Sequence, residues 1–472
     1  MSGAAPMPAL RGAILAAGLL AVSCLSAREE ARDARARVGE EAARRLGWPP
    51  AAPPPDAPCR VQELLHNGLD EDDAARMALG LHRGVLAQLA RLDEGAAEAV
   101  SAALWASPVL DASLVKLDDG TEIDLGLAQP VWQLVSARLR RAKSQAELRA
   151  LEHEVVRVVV DATFHARRAH AEASLARAEF ERSEAQLAAA RAAEQLMQDL
   201  VAAGNATPAE AARQAAATAR RAAARLDAQH AWLEAREALN RATGLWGEAI
   251  DWELAPTKIE EVADDFEGVE AKAVAASLDL AAARARIDAL AQAAGMADIE
   301  SWAPDAAAGI VAKRDAGGDS LGLGPRLELG LPLADGGSSA RTAAEARLAR
   351  AEHELWTLAV EVRSAARTFR DRVRSLRAAE AQARNELVPA ERRLVEETLR
   401  NFNAMQVGAF DVLRARSREI EAERRAARLR YELRLARLDL AELAAGSLSR
   451  ARLAPDAPDH GRFDAGDGDA GH

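Results

Sequence analysis

Large rings are scarce in this chain. Aromatic residues make up 3% of its 472 residues, and there is one tyrosine, Tyr431. Ala, Arg, Glu and Leu dominate instead, a composition that argues against a set of ordinary mixed domains and for long packed helices. Cysteine is rarer still, with Cys24 and Cys59 alone. If either is engaged elsewhere, no intrachain disulfide can form. Nor is there a surplus of positive charge. Lys+Arg total 61 against 73 Asp+Glu, a formal net charge of −12, so the chain has no electrostatic footprint for nucleic acid. Its arginines alternate with acids, the pattern of solvated helix faces. Beyond the N-terminal segment no run is apolar enough for a transmembrane helix, so a membrane could be crossed only with strands. Catalytic signatures are missing too: no glycine loop for phosphate, and no His/Cys cluster at metal-ligand spacing. The nine histidines are scattered, and His165 and His170 are expected to be solvated. We expect no enzymatic activity, no cofactor and no bound metal.

The N-terminus is informative. Arg11 precedes an apolar stretch, Ala13 to Val22, followed by Ser23-Cys24. About ten apolar residues are too few to span a bilayer and suit a secretory signal over residues 1–23. A cysteine straight after small residues resembles a bacterial lipoprotein signal, in which Cys24 becomes the first residue and carries lipid; Ala21 stands where leucine is usual. Leu25 after the cysteine resembles lipoproteins sorted to the outer membrane. Residues 24–73 are charged, then Pro-rich (Pro49, Pro50, Pro53, Pro54, Pro55, Pro58), and read as a tether and irregular packing segment.

What the chain does contain is the same unit twice, over 74–244 and 271–446. Each copy reads helix, β-hairpin ending in proline, then a very long helix that turns and runs back. Leu125, Leu127, Pro130 and Val131 correspond to Leu327, Leu329, Pro332 and Leu333; Gly204 to Gly408; Gly244 to Gly446. The spacing stays near 202 residues throughout, which similarity of Ala-rich sequence does not explain. The first helix is expected from Asp72 or Asp73 to Trp105. Between Pro130 and Gly204 there is neither glycine nor proline, and a continuous helix there would be on the order of 105 Å long. Leu148, Leu151, Val155, Val158 and Ala162 step by three and four, as along a coiled-coil seam. The helix pairs are expected at 131–243 and 338–445, with a kink or hinge at Pro389. A linker at 245–270 and an acidic tail at 447–472 complete the chain. Asp459-His460 and His472 in that tail faintly resemble the His-rich tails of some metal-export proteins.

The hairpins at 109–129 and 306–333 each have one apolar and one polar face, at close to membrane-strand length. An Asp-Gly pair marks the first turn. Four strands cannot close a barrel, and open edges are not tolerated in lipid, so the chain must oligomerise to complete the wall. Leucines would then face lipid while Glu122, Asp124, Arg326 and Glu328 face a watery lumen. Trp105, Trp132 and Trp302 sit at the helix side of the strands, where an interfacial anchor would lie.

The chain resembles the TolC-like outer-membrane efflux proteins across almost all its mature length. The matching pieces are Gln129-Pro130-Val131, Leu331-Pro332-Leu333, Ala203-Gly204-Asn205-Ala206-Thr207-Pro208, Leu239-Asn240-Arg241, and the run from Asn403 to Leu413. The resemblance implies a mainly α fold with a small transmembrane β part: a homotrimer with a twelve-stranded β-barrel continued by an α-helical barrel. It implies a passive outer-membrane conduit of a Gram-negative-type cell, working with a periplasmic adaptor and an inner-membrane transporter. By the same resemblance Gly204, Val407, Gly408 and Ala409 lie at adaptor-contacting tips. Asp411 either caps the return helix or faces the closed aperture. A lipid-anchored periplasmic coiled-coil scaffold without a pore is the competing expectation.

Overall fold

The computed structural model describes residues 8–48, 61, 65–66, 68–104, 107–117, 120–255, 266–302, 306–314, 322–329 and 336–448. Helix α1 (Pro8–Leu46) is followed by α2 (Glu71–Leu81) and α3 (Arg83–Ala103), and these by strands β1 (Val109–Leu117) and β2 (Gly120–Pro130). A short α4 (Val131–Val135) leads into α5 (Ala137–Ala202), 66 residues and about 100 Å long. Its return helix is α6 (Pro208–Thr243). The second half repeats the order with α7 (Val269–Ala276), α8 (Leu278–Trp302), β3 (Ala307–Arg314) and β4 (Gly322–Glu328). The long arm that follows is α9 (Ser338–Gln382) and α10 (Val388–Asn403), and it returns as α11 (Ala409–Ala444). Among the described residues no helix is long and apolar enough to cross a membrane.

Four departures from the sequence reading have physical causes. The N-terminal segment is no loose tether as far as Leu46. Ala34, Val38 and Ala42 recur every four residues of α1, so they share one face, and that face is buried against Val85, Leu89 and Leu92 of α3 and Val155 and Val159 of α5. The helix expected from Asp72 is broken at His82, whose backbone is extended (φ −68°, ψ 111°). The run after Pro130 is interrupted at Ser136. Pro389 is absorbed by a π-helical turn, Ala383–Leu387, in which the Val388 N–H donates to the Ala383 carbonyl five residues back. Widening the helix for one turn lets the chain pass a residue that has no donor of its own.

The two halves are built on the same kind of joint. Each return helix ends on a left-handed glycine, Gly244 (φ +78°) and Gly446 (φ +105°). Gly244 lies against the backbone of Leu81 and His82, where α2 gives way to α3. Gly446 lies against Ala276, where α7 gives way to α8, and its carbonyl accepts from the Leu278 N–H at 2.8 Å. Arg45 of α1 donates to the carbonyls of Ala276 and Ala445 and so fastens the N-terminal helix to the second joint.

The strands form one antiparallel sheet in the order β1-β2-β3-β4. The central pairing, β2 with β3, joins the two repeats: Leu127 is aligned with Ile310 and Ala128 with Gly309. A Cβ on Gly309 would sit 2.7 Å from the Ala128 Cα and overlap the Leu127 carbonyl, so only glycine lets these strands pair here.

Candidate functional site: the sheet faces and the helix tips

The register sorts the sheet into two unlike faces. Leu110, Leu127, Ile310 and Pro325 form one row, and Ala112, Leu125, Ala312 and Leu323 the next. Because side chains alternate, these rows share a face, and it is bare: Leu110 is 71% and Leu323 74% exposed. The opposite face carries Asp111, Glu122, Asp124, Lys313, Arg326 and Glu328 on the alternate residues of the same strands. The four residues expected to line a lumen therefore lie on one surface, together with two further charged residues from the other strands, Asp111 and Lys313. Lys313 pairs with Glu122, and Arg326 with Asp111 and Glu328. Sequence patterning assigns no role to Asp111. Its partner is 215 residues away, which no local pattern reveals. Leu331-Pro332-Leu333, expected to end the second hairpin, and Trp105 lie outside the described residues, as do the side chains of Trp132 and Trp302.

The far ends of the long helices reverse in the same way twice. At the first tip the Asn205 N–H donates to the Leu200 carbonyl and the Gly204 N–H to Val201, with Gly204 left-handed at φ +76°. At the second, the Gln406 N–H donates to Asn401 and the Met405 N–H to Phe402, with Met405 at φ +61°. Both are the paired hydrogen bonds that close a helix around a left-handed residue. The counterpart of Gly204 is therefore Met405, and the expected reversal at Gly408 is corrected. Gly408 has an ordinary φ of −85° and is the N-cap of α11, the place Thr207 takes before α6. Asp411 accepts from the Gly408 N–H at 3.2 Å, as Glu210 accepts from Thr207 at 2.8 Å. Those bonds from Thr207 hold the Glu210 carboxyl below the usual carboxylate range. Val407 is half-buried, and the side chain of Ala409 lies outside the described residues.

A left-handed methionine is unusual, because its Cβ crowds the following carbonyl at a cost of roughly 1–2 kcal/mol. Met405 is also 94% exposed, so no burial offsets that cost. Met405→Gly is expected to leave the tip intact and raise stability by up to about 1 kcal/mol, allowing for the freedom glycine gains when unfolded. A thermal melt of the helical circular-dichroism signal reads this; a lower melting temperature would contradict it.

Where α5 crosses α11 the structure buries charge. Arg168 donates to Glu442 through both terminal nitrogens, at 2.5 and 3.2 Å, and lies 3.5 Å from Asp439. All three are almost wholly buried. The corresponding residues of the first repeat are Glu237 and Asn240, and the buried Asn240 accepts from the Trp252 indole at 2.8 Å. Comparing the repeats at this position would have found the site, since an amide in one copy is a carboxylate in the other. His170, expected to be solvated, is buried with its Nε2 3.0 Å from the Leu69 carbonyl, and desolvation depresses its pKa. Among the described residues no group of His, Cys, Asp and Glu could hold a metal.

This arrangement, a four-stranded sheet with one bare apolar face at the root of two helical hairpins, matches the fold of chains solved from outer-membrane channel proteins. The chain matches VceC of Vibrio cholerae, an outer membrane protein, with a TM-score of 0.66 and 20% identity over 83% of this chain and 99% of that one. It matches CusC, described as forming a transmembrane channel, at 0.66 and 15% over 81% and 94%. The Campylobacter jejuni CmeC outer membrane channel gives 0.66 and 13% over 80% and 86%. At these identities the likeness establishes the fold of the single chain, mainly helical with a small antiparallel sheet, as the resemblance to TolC-like proteins implied for one copy. No protein-family model and no curated protein sequence matches the chain.

Proposed function

We propose that this protein is the outer-membrane conduit of an export system: a homotrimer whose four-stranded sheets close a twelve-stranded barrel. The observation that carries the reading is the sheet itself. Its outer face is bare leucine and isoleucine, and β1 and β4 are its two outermost strands. In water that face would be a large exposed apolar patch, and in lipid its open edges would strand backbone donors and acceptors. Pairing β4 of one copy with β1 of the next removes both problems at once. The similar channel structures support this reading, and the helical arms then extend the wall away from the membrane. Glu122, Asp124, Arg326 and Glu328 would line the lumen. Cys24 would carry lipid at the outer membrane. The tips at Gly204 and at Met405–Ala409 would meet a periplasmic adaptor coupled to an inner-membrane transporter, with Asp411 capping α11. The chain itself catalyses nothing; it conducts.

Particle imaging of detergent-extracted protein tests this. A trimeric tube more than about 100 Å long is expected. Monomeric rods or a soluble dimer would hand the role to a lipid-anchored scaffold. The Cys24→Ser variant is expected to resist extraction by high salt and carbonate, because strands, not lipid, would hold it. Its complete release in soluble form would count against the conduit.

A further inference from the structure

One interaction on the polar face of the sheet joins strands that are not neighbours. Arg326, on edge strand β4, donates through Nη1 to Oδ2 of Asp111 on the opposite edge strand β1, and also holds Glu328. The two residues are three inter-strand steps apart. They are also offset along the strands, since Arg326 is aligned with Gly309, Ala128 and Val109, whereas Asp111 is aligned with Gly126, Val311 and Gly324. In a flat sheet three steps span about 14 Å before any offset is added. That exceeds the joint reach of an extended arginine and an aspartate. For the pair to form, the sheet must bend toward its polar face. Glycine clears the path: a Cβ on Gly126 would lie 2.6 Å from Asp111 Oδ1 and 2.7 Å from Arg326 Nη1.

We infer that the Asp111–Arg326 pair is a curvature latch. It holds the outer strands of one chain in the arc that a closed wall requires, so that the free edges of β1 and β4 meet a neighbouring copy at a pairing angle. The inference rests on the channel reading above. Lys313–Glu122 is the contrasting pair: it links adjacent strands β3 and β2 and needs no bend. A partly solvated ion pair shifts an equilibrium by a factor of roughly two to five. A closed trimer uses one latch per copy, so the factors compound to roughly ten- to a hundred-fold.

The test uses the full chain refolded into lipid vesicles, with the yield of membrane-embedded trimer measured by native gel after protease treatment. Spin labels at positions 112 and 323, aligned on the two edge strands, report the width of the sheet in detergent. Arg326→Gln and Asp111→Asn are each expected to lower trimer yield about ten-fold or more and to lengthen the 112–323 distance. Combining Asp111→Arg with Arg326→Asp is expected to restore both, and Lys313→Gln to leave both near the unaltered protein. Single variants that assemble normally at an unchanged distance would overturn the latch. So would a Lys313→Gln defect of equal size, which would make the effect one of face charge alone. If the unaltered protein forms no embedded oligomer, the channel reading fails, and the spin-label distance alone decides the latch.

Discussion

Gly446→Ala is expected to be among the most damaging single methyl additions in the chain. At φ +105° an L side chain is strained, and the new Cβ would overlap the Ala276 carbonyl and the Arg45 guanidinium and press within 3.2 Å of the Leu278 side chain. The left-handed penalty is roughly 1–2 kcal/mol, and overpacking against backbone adds a further 1–3 kcal/mol or so. A loss of about 3 kcal/mol or more follows, because the joint cannot yield without breaking the bond between the Leu278 N–H and the Gly446 carbonyl. Gly47→Ala is the control. Gly47 has a similar left-handed backbone (φ +68°) but nothing within 4 Å of the added carbon, so only the conformational term of about 1 kcal/mol applies. Thermal melts of the two variants should separate clearly. Equal melting temperatures would mean that the joint is not tightly packed.

The second large effect is expected at Arg168. Arg168→Met leaves Glu442 and Asp439 facing each other in a dry site, and removing one partner of a buried pair typically costs about 3–5 kcal/mol. Arg372 remains, 3.9 Å from Asp439, and offsets part of that cost. Adding Glu442→Leu to Arg168→Met should recover part of the loss, since two charges leave together. Thermal melts decide the matter; a single variant as stable as the parent, or a double variant that recovers nothing, would refute the account.

How far the sequence carried can be read from particular residues. The repeat was legible because Leu125/Leu327, Pro130/Pro332 and Gly244/Gly446 keep their spacing, and period-two and seam patterns are local properties of a chain. The hairpin faces were legible for the same reason. The tips were half legible. Glycine marked the first reversal, but at the second the left-handed residue is methionine, which propensity argues against. There the paired hydrogen bonds to Asn401 and Phe402 outweigh the strain. Helix α1 was misread as tether because its buried stripe is mostly alanine, whose burial depends on how closely another helix approaches.

Composition, periodicity and duplication along the chain were thus enough to establish long helical arms, two amphipathic hairpins and their doubling, because each depends on residues a few positions apart. Only the tertiary structure could decide which charges meet. Arg168 and Glu442 are 274 residues apart, and Asp111 and Arg326 are 215 apart. Whether such groups pair depends on how helices cross and how a sheet bends. Those are properties of the packed whole, in which the same arginine would be a solvated surface charge if the neighbouring element sat a few ångströms away.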